Sequence, residues 1–410
     1  MRFVFVANSA AFFASHWEPF AEEARLRGID DQVVCPPGPE VESIRSRSWP
    51  VHTINLSRSG TTPLDEIRSI RELVSVYRRL RPDLVHHFSA KPVAYGGLAA
   101  RLASVPAVVS TITGLGHPFI DSGPRARLTR ETLLALYRVA FGHPGHRVLF
   151  ENVDDRSLFL RRGLTTATES FVVPGAGVDV DRFSPEDELG GPLTVVMPGR
   201  VLAHKGVREF ASAATLLHRR GLDARFVLVG RIDPGNPSSL SAEWLRRNAE
   251  HLEWWGHRND MPEVLARAHV VCLPSYREGL PKVLLEAAAC GRPAVTTSVP
   301  GCRSAVQHGV NGLLVPVRDA SALADALETL LRDRSLRREM GARGRRLAEL
   351  RYSVGAVVRR VFDVYESLVP RTVATGVSDN VSNLDSGLFG GSHEDELVAA
   401  MSPPARARSL

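Results

Sequence analysis

Apolar residues recur along the chain in two rhythms. Short unbroken runs suit parallel strands buried on both faces, and longer segments repeat every 3.6 residues, as one face of a helix does. Residues 2–7 read as a first strand, and the loop Asn8–His16 leads into a helix ending near Arg27. Asp31–Cys35 and Val51–Asn55 follow as strands. Leu64–Leu80 is amphipathic: Ile67, Ile70, Val74 and Tyr77 fall at i, i+3, i+7 and i+10, with Leu73 and Leu80 beside them. Next come a strand (Asp83–Phe88), a Gly- and Ala-rich helix (Lys91–Leu102), a strand (Ala107–Thr111), a helix (Leu128–Phe141) and two closing strands, Arg147–Glu151 and Ser170–Val173. Strict alternation of strand and helix predicts a doubly wound parallel sheet.

The rhythm pauses at Pro174–Gly177 and in the polar stretch Ser184–Pro192, which reads as an interdomain linker, and then restarts. Strands are predicted at Leu193–Met197, Arg225–Val229, Leu252–Trp255, His269–Leu273 and Pro293–Thr297. Helices are predicted at Gly206–Arg220, Leu240–Glu250, Met261–Arg267, Val283–Cys290, Ala320–Leu331, Ser335–Leu350 and Val354–Leu368. From about Arg371 the periodicity vanishes into Gly, Ser, Asn and Asp, and residues 371–410 are expected to form a disordered tail. The domains expected are therefore 1–183 and 184–353, with the helix 354–368 after them.

Composition narrows this little. At 410 residues the chain suits two or three domains, and 44% hydrophobic with 23% charged residues is ordinary for a soluble globular enzyme. A net charge of +6 favours acidic partners such as nucleotide phosphates or an anionic membrane surface. No Lys/Arg run with interleaved aromatics points to nucleic acid. Cys35, Cys272, Cys290 and Cys302 lack CxxC spacing, so they read as buried free thiols in a reducing cytosol, and structural zinc is not expected. The N-terminal apolar run is too short for a signal-peptide core, and no uncharged apolar run approaches the roughly 18 residues of a spanning helix. A cytoplasmic protein is expected. The helix at Leu128–Phe141, with Arg127, Arg130 and Arg138 among its apolar residues, either lies at a membrane surface or packs on the sheet.

Chemistry concentrates in Leu273–Gly301, LPSYREGLPKVLLEAAACGRPAVTTSVPG. It reads as strand, tight loop with Gly279, helix from Pro281, stop at Gly291, strand. Such a loop lies at the carboxyl edge of a parallel sheet, where ligands bind in open α/β folds, and N–H groups at the helix start favour an anion. Glu278 sits in the loop and Glu286 in an otherwise apolar helix, where a carboxylate is costly unless hydrogen-bonded. Upstream, Pro198-Gly-Arg200 ends a strand and Lys205-Gly206 opens a helix. A guanidinium and an ammonium across that turn can converge on a diphosphate, and a cation there is unfavourable against the helix dipole without an anion. The N-terminus lacks GxGxxG, which argues against a dinucleotide site there.

Glu, seven residues, Glu, a small-residue helix and a Gly-Pro-type turn: this string resembles the donor-binding motif of the family 4 retaining glycosyltransferases, whose fold is called GT-B. The resemblance covers about residues 1–368. It implies an α/β fold of two Rossmann-like doubly wound domains facing across a cleft, with the chain's last helix crossing back to the first domain. It implies transfer of a sugar from a nucleoside diphosphate, with retention and without metal or other cofactor. Carried over by position, Glu286 would hold the ribose hydroxyls, Glu278 would face the donor sugar, and Arg200 and Lys205 would grip the diphosphate. Gly279, Leu280, Pro281 and Lys282 would complete a phosphate cradle; Gly230-Arg231 and His257-Arg258 would lie along the base and ribose.

In the first half, Asn8, Ser15-His16, His86-His87 with Lys91-Pro92, and Thr113–Gly116 sit at strand ends and look like the branch that extends bacterial polysaccharide or lipid-linked glycan precursors. That branch implies a UDP-linked donor, an N-acetylhexosamine among the candidates, a polyprenyl-diphosphate glycan as acceptor and contact with the inner membrane surface. Alternation sends either His86 or His87 towards the cleft. Many relatives carry a His where this chain has Thr113, so His16, His87 or His117 would have to stand in. Asp179-Val-Asp181 mimics a metal-binding DxD but follows a Gly-rich turn, and Asp154-Asp155 reads as helix capping. The alternatives are a nucleotide-sugar epimerase, a phosphorylase and a non-catalytic nucleotide-sugar sensor.

Overall fold

The computed structural model describes residues 1–56, 62–116, 119–120, 123–188 and 190–369. The expected tail and His117 lie outside them. The chain divides into two compact units: Met1–Ala176 with the helix that follows Gly355, and Gly177–Val354.

The first unit holds seven strands: β1 Arg2–Val6, β2 Asp30–Cys35, β3 Val51–Thr53, β4 Leu84–Phe88, β5 Ala107–Ile112, β6 His146–Phe150 and β7 Ser170–Val172. All pair in parallel in the order β3-β2-β1-β4-β5-β6-β7. The second unit holds six: β8 Leu193–Pro198, β9 Ala224–Val229, β10 Leu252–Trp254, β11 Val270–Leu273, β12 Ala294–Thr297 and β13 Gly312–Val315. These too are all parallel, in the order β10-β9-β8-β11-β12-β13. Each sheet is doubly wound. The order reverses beside β1 and β4 in one unit and beside β8 and β11 in the other, and the carboxyl ends flanking such a reversal form the crevice where ligands bind.

The central strands are apolar runs because helices cover both faces. In the second unit one face packs Val195, Met197, Phe226 and Leu228 against Phe210, Leu217, Leu327 and Met340. The other packs Val196, Val227 and Val271 against Leu284, Leu285 and Ala288. Those three come from the helix Lys282–Ala289, within a residue of the expected Val283–Cys290, with Pro281 as its cap rather than its first helical residue.

The boundary between units falls earlier than the polar linker suggested. Val178 and Phe183 are buried in the second core. Val178 N–H donates to the Tyr352 carbonyl (2.7 Å) and the Val178 carbonyl accepts from Val354 N–H (3.0 Å). The acidic stretch after it is clamped as well, since Arg337, itself 3% exposed, grips Glu188 through Nε (2.8 Å) and Nη2 (3.0 Å). Its polarity reflects ion pairing within the second unit.

The helix Val354–Leu368 belongs to the first unit, with Tyr365 buried against Phe3 and His86. The short helix Glu40–Ser46 and the edge strand β13 carry little periodicity and were not predicted. The four cysteines are buried free thiols.

Candidate active site

In the second unit the sheet reversal gathers the predicted cations and acids. Arg200 leaves β8 through Gly199, and Lys205 stands just before Gly206, which adopts φ +84° at the start of the helix Val207–Arg219. A Cβ at Gly206 would lie 2.1 Å from the Pro274 carbonyl oxygen. Only glycine lets this helix start close onto the end of β11, and that closure sets Lys205 against the motif loop. Lys205 Nζ meets Glu278 Oε1 at 2.6 Å, the two side chains 20% and 12% exposed. Arg200 Nη1 meets Asp233 Oδ2 at 2.6 Å.

The loop carrying Glu278 is tied down on several sides. Tyr276 N–H donates to the His204 carbonyl (2.9 Å), its hydroxyl donates to Glu209 (2.7 Å), and the Arg318 guanidinium lies 4.6 Å from its ring centre. Thr297 Oγ1 donates to the Ser275 carbonyl. Gly301, at φ +80°, packs where a Cβ would stand 2.2 Å from the Gly279 carbonyl oxygen. Gly279, Leu280 and Pro281 follow as the bend into the helix, and Lys282 opens it. One turn further, Glu286 is half-buried. Burial pushes its carboxyl above the usual range, while Lys282 and Arg182 draw it down. A carboxyl on an apolar helix is costly to bury without hydrogen bonds, and a partner rich in hydroxyls would supply them.

Other residues along this edge are differently placed. Gly230 serves packing: its N–H donates to the Gly256 carbonyl (2.7 Å) and its own carbonyl accepts from the Trp254 indole (2.8 Å). Arg231 and His257 are exposed, and Arg258 is turned aside by both oxygens of Asp260. Asp179 bends the chain by accepting from Asp181 N–H (3.1 Å) and Arg182 N–H (2.9 Å), an Asx turn. Among the described residues no group of three or more His, Cys, Asp and Glu could hold a metal.

At the carboxyl edge of the first sheet, Asn8 follows β1 and Thr113 follows β5, both half-buried, and Thr113 Oγ1 lies 3.4 Å from Ser89 Oγ. His16 is half-exposed in the turn Phe13–Trp17, 2.7 Å from Ser15 Oγ through Nδ1.

The expectation for the His pair fails. Strand alternation does send His86 and His87 to opposite faces, but β4 is central and both faces are covered, so both are fully buried. His86 bonds Tyr365 Oη (2.6 Å) and Thr111 Oγ1 (2.6 Å); His87 bonds Tyr77 Oη (2.9 Å). Burial holds both imidazoles neutral, His87 pushed down to about 3. Neither reaches a ligand. The capping expectation shifts as well: Asn152 caps the helix Val153–Arg161 by accepting from Asp155 N–H (2.8 Å).

Two residues beside the site were missed. Asp233 and Arg182 carry no motif; their roles come from charge pairing across the fold, which no local spacing reports.

The pattern described as "Glycosyl transferases group 1" matches residues 192–333, and "Glycosyl transferase 4-like" matches residues 2–142. The chain is 29% identical over 382 residues to the N,N'-diacetylbacillosaminyl-diphospho-undecaprenol alpha-1,3-N-acetylgalactosaminyltransferase of Campylobacter jejuni, covering 90% of this chain and 99% of that one. It is 28% identical to the UDP-Gal:alpha-D-GlcNAc-diphosphoundecaprenol alpha-1,3-galactosyltransferase of Escherichia coli, over 66% of this chain and 72% of that one. Among solved structures, HepE of Anabaena in complex with UDP and glucose superposes with a TM-score of 0.74 at 19% identity, over 90% of this chain and all of that one. WaaG, a glycosyltransferase involved in lipopolysaccharide biosynthesis, superposes with a TM-score of 0.68 at 16% identity, over 88% and 99%.

Proposed function

We propose, given that this chain belongs to the family 4 glycosyltransferases with the GT-B fold, that it moves a sugar from a nucleoside diphosphate to a hydroxyl of a polyprenyl-diphosphate-linked glycan, with retention at the anomeric carbon. The observation that carries this reading is the placing of two cations at the sheet reversal, Arg200 held by Asp233 and Lys205 held by Glu278, with Glu286 one turn into the following helix. Two cations at that edge suit a diphosphate, whose charge grows as the glycosidic bond breaks. Preorganised donors aimed at such charge lower a barrier by roughly 3 kcal/mol each.

Lys205 is held by Glu278 in this structure. An arriving diphosphate competes for the ammonium, and Glu278 is then available to the donor sugar. Glu286, on the helix that follows, hydrogen-bonds the ribose hydroxyls. The leaving phosphate takes the proton of the acceptor hydroxyl on the same face of the sugar, so no protein nucleophile is required. The protein's own cations meet the departing charge, and chelation with EDTA is expected to leave turnover unchanged.

The names of the relatives from Campylobacter jejuni and Escherichia coli support a UDP-linked donor, an N-acetylhexosamine first, and an undecaprenyl-type diphosphate acceptor. A thermal-shift screen over nucleotide sugars, followed by transfer assays with the best stabiliser and lipid-linked acceptors, tests this. Stabilisation by UDP-linked sugars with transfer to lipid is expected. Free-sugar epimerisation, phosphate-dependent turnover, or tight binding without transfer would each replace the reading with another.

Peripheral contact with the cytoplasmic membrane face belongs to the same proposal. No helix among the described residues is long and apolar enough to span a bilayer. The helix Pro124–Phe141 buries Leu134, Tyr137 and Ala140 while leaving Leu128 70% exposed beside Arg125 and Arg127. Flotation with vesicles is expected to show binding to anionic bilayers and little to zwitterionic ones.

A further inference from the structure

Arg200 is presented by a frame that owes little to side chains. The segment after β8 is stitched to the loop after β9 by Val201 N–H to the Arg231 carbonyl (3.0 Å), Ala203 N–H to the Ser238 carbonyl (2.7 Å) and Leu240 N–H to the Val201 carbonyl (3.0 Å). Asp233 sits inside that loop. Its N–H donates to Ser239 Oγ (3.3 Å) and its carbonyl accepts from Asn236 N–H (2.9 Å). From this fixed position its carboxylate takes Arg200 through one terminal nitrogen, Nη1, at 2.6 Å. Among the described residues the Arg200 guanidinium makes no other hydrogen bond, so its Nε and Nη2 edge is uncommitted. That edge is the planar fork that matches two oxygens of a phosphate.

We propose that Asp233 is a positioning residue for diphosphate recognition: it holds Arg200 by one corner so that the opposite edge of the guanidinium is presented, already oriented, to the donor's diphosphate. The inference rests on the reading of Arg200 as a diphosphate ligand.

The sign of one effect separates positioning from plain electrostatics. A carboxylate near a diphosphate repels it, so if Asp233 acted only through its charge, removing it would tighten anion binding. If it positions Arg200, removing it weakens binding, because a long side chain must then be ordered by the ligand itself. The loop's own backbone bonds survive the substitution. A half-exposed ion pair contributes little to the fold, so the stability of the unliganded protein stays close to its original value.

The experiment is titration of the full chain with UDP and, separately, with inorganic pyrophosphate, which needs no knowledge of the base. The variants are Asp233→Ala, Asp233→Asn, Asp233→Glu, Arg200→Ala and the double variant Arg200→Ala/Asp233→Ala. Asp233→Ala and Asp233→Asn are expected to weaken UDP binding about tenfold, the scale of one charge-assisted hydrogen bond. Asp233→Glu should recover most of that loss. In the Arg200→Ala background, Asp233→Ala should bring no further loss. Equal or tighter binding in Asp233→Ala overturns the proposal, as does a loss that persists without Arg200, since that would mark a general disturbance of the loop. If Arg200→Ala binds both ligands normally, the diphosphate reading itself falls and this inference with it. That outcome differs from the case in which Arg200→Ala weakens binding and the Asp233 variants do not, which sinks the inference alone.

Discussion

The two units bury their polar groups in different ways. The first does it with neutral imidazoles: His86 between Tyr365 and Thr111, His87 on Tyr77, and His146 on Ser110 at 3.0 Å, all three fully covered. The second buries Arg337 against Glu188 and keeps two half-buried ion pairs at its sheet edge, Lys205 on Glu278 and Arg200 on Asp233. Both units share one winding, and their sheets reverse at equivalent places; at the second reversal two cations stand, Arg200 and Lys205, each held by a carboxylate. A charged diphosphate needs the second kind of edge. On the proposed reading an acceptor hydroxyl would be met by neutral groups such as Asn8 and Thr113.

Acid should expose the difference most strongly. Burial depresses His86 and His146 well below their ordinary value and His87 to about 3. The unfolded chain therefore binds protons that the folded chain refuses, and stability falls as pH drops. The full contribution is present above the unfolded value near 6.5. It is lost progressively below that value, at about 1.4 kcal/mol per pH unit for each imidazole, down towards the folded value. Urea midpoints measured from pH 7.5 to 5 should fall, with the first unit melting ahead of the second. A flat profile would show that the imidazoles are not held neutral.

In the second unit, Glu188→Ala leaves Arg337 buried and unpaired, and a loss of about 3–5 kcal/mol is expected in urea unfolding. A loss under 1 kcal/mol would show the clamp to be a surface pair. Arg200→Ala and Lys205→Ala should lower kcat by about 10²–10³ with little change in Tm. A purely structural role would reverse that split between rate and stability. The smallest effect expected is for Tyr365→Phe, which strips the hydroxyl from His86 and should cost about 1–3 kcal/mol of stability, at any pH where the imidazole is neutral. Comparing that loss at pH 7.5 and 5.5 ties it to the same imidazole that governs the acid response.

Much of this was legible in the chain itself. Buried parallel strands are unbroken apolar runs, so twelve of the strands could be read directly, and β13 escaped because Gly312–Val315 is short and lies at an edge. Arg200 and Lys205 were legible because a strand ending in Gly-Arg and a helix opening after Lys-Gly place cations at a sheet edge whatever the rest of the fold does. His87 was misread for a matching reason. Alternation tells which face a residue takes, and it does not tell whether that face is covered.

What the sequence determined alone, then, was periodicity and its consequences: two doubly wound sheets, their carboxyl edges, and the charges standing on one of them. Only the tertiary structure decided which groups pair. Arg200 finds Asp233 33 residues away, Arg337 finds Glu188 149 away, and His86 finds Tyr365 279 away. Those separations are invisible to any local pattern. Pairing energy depends on distance in space and on the water excluded around it, and both are set only once the sheets have closed their faces.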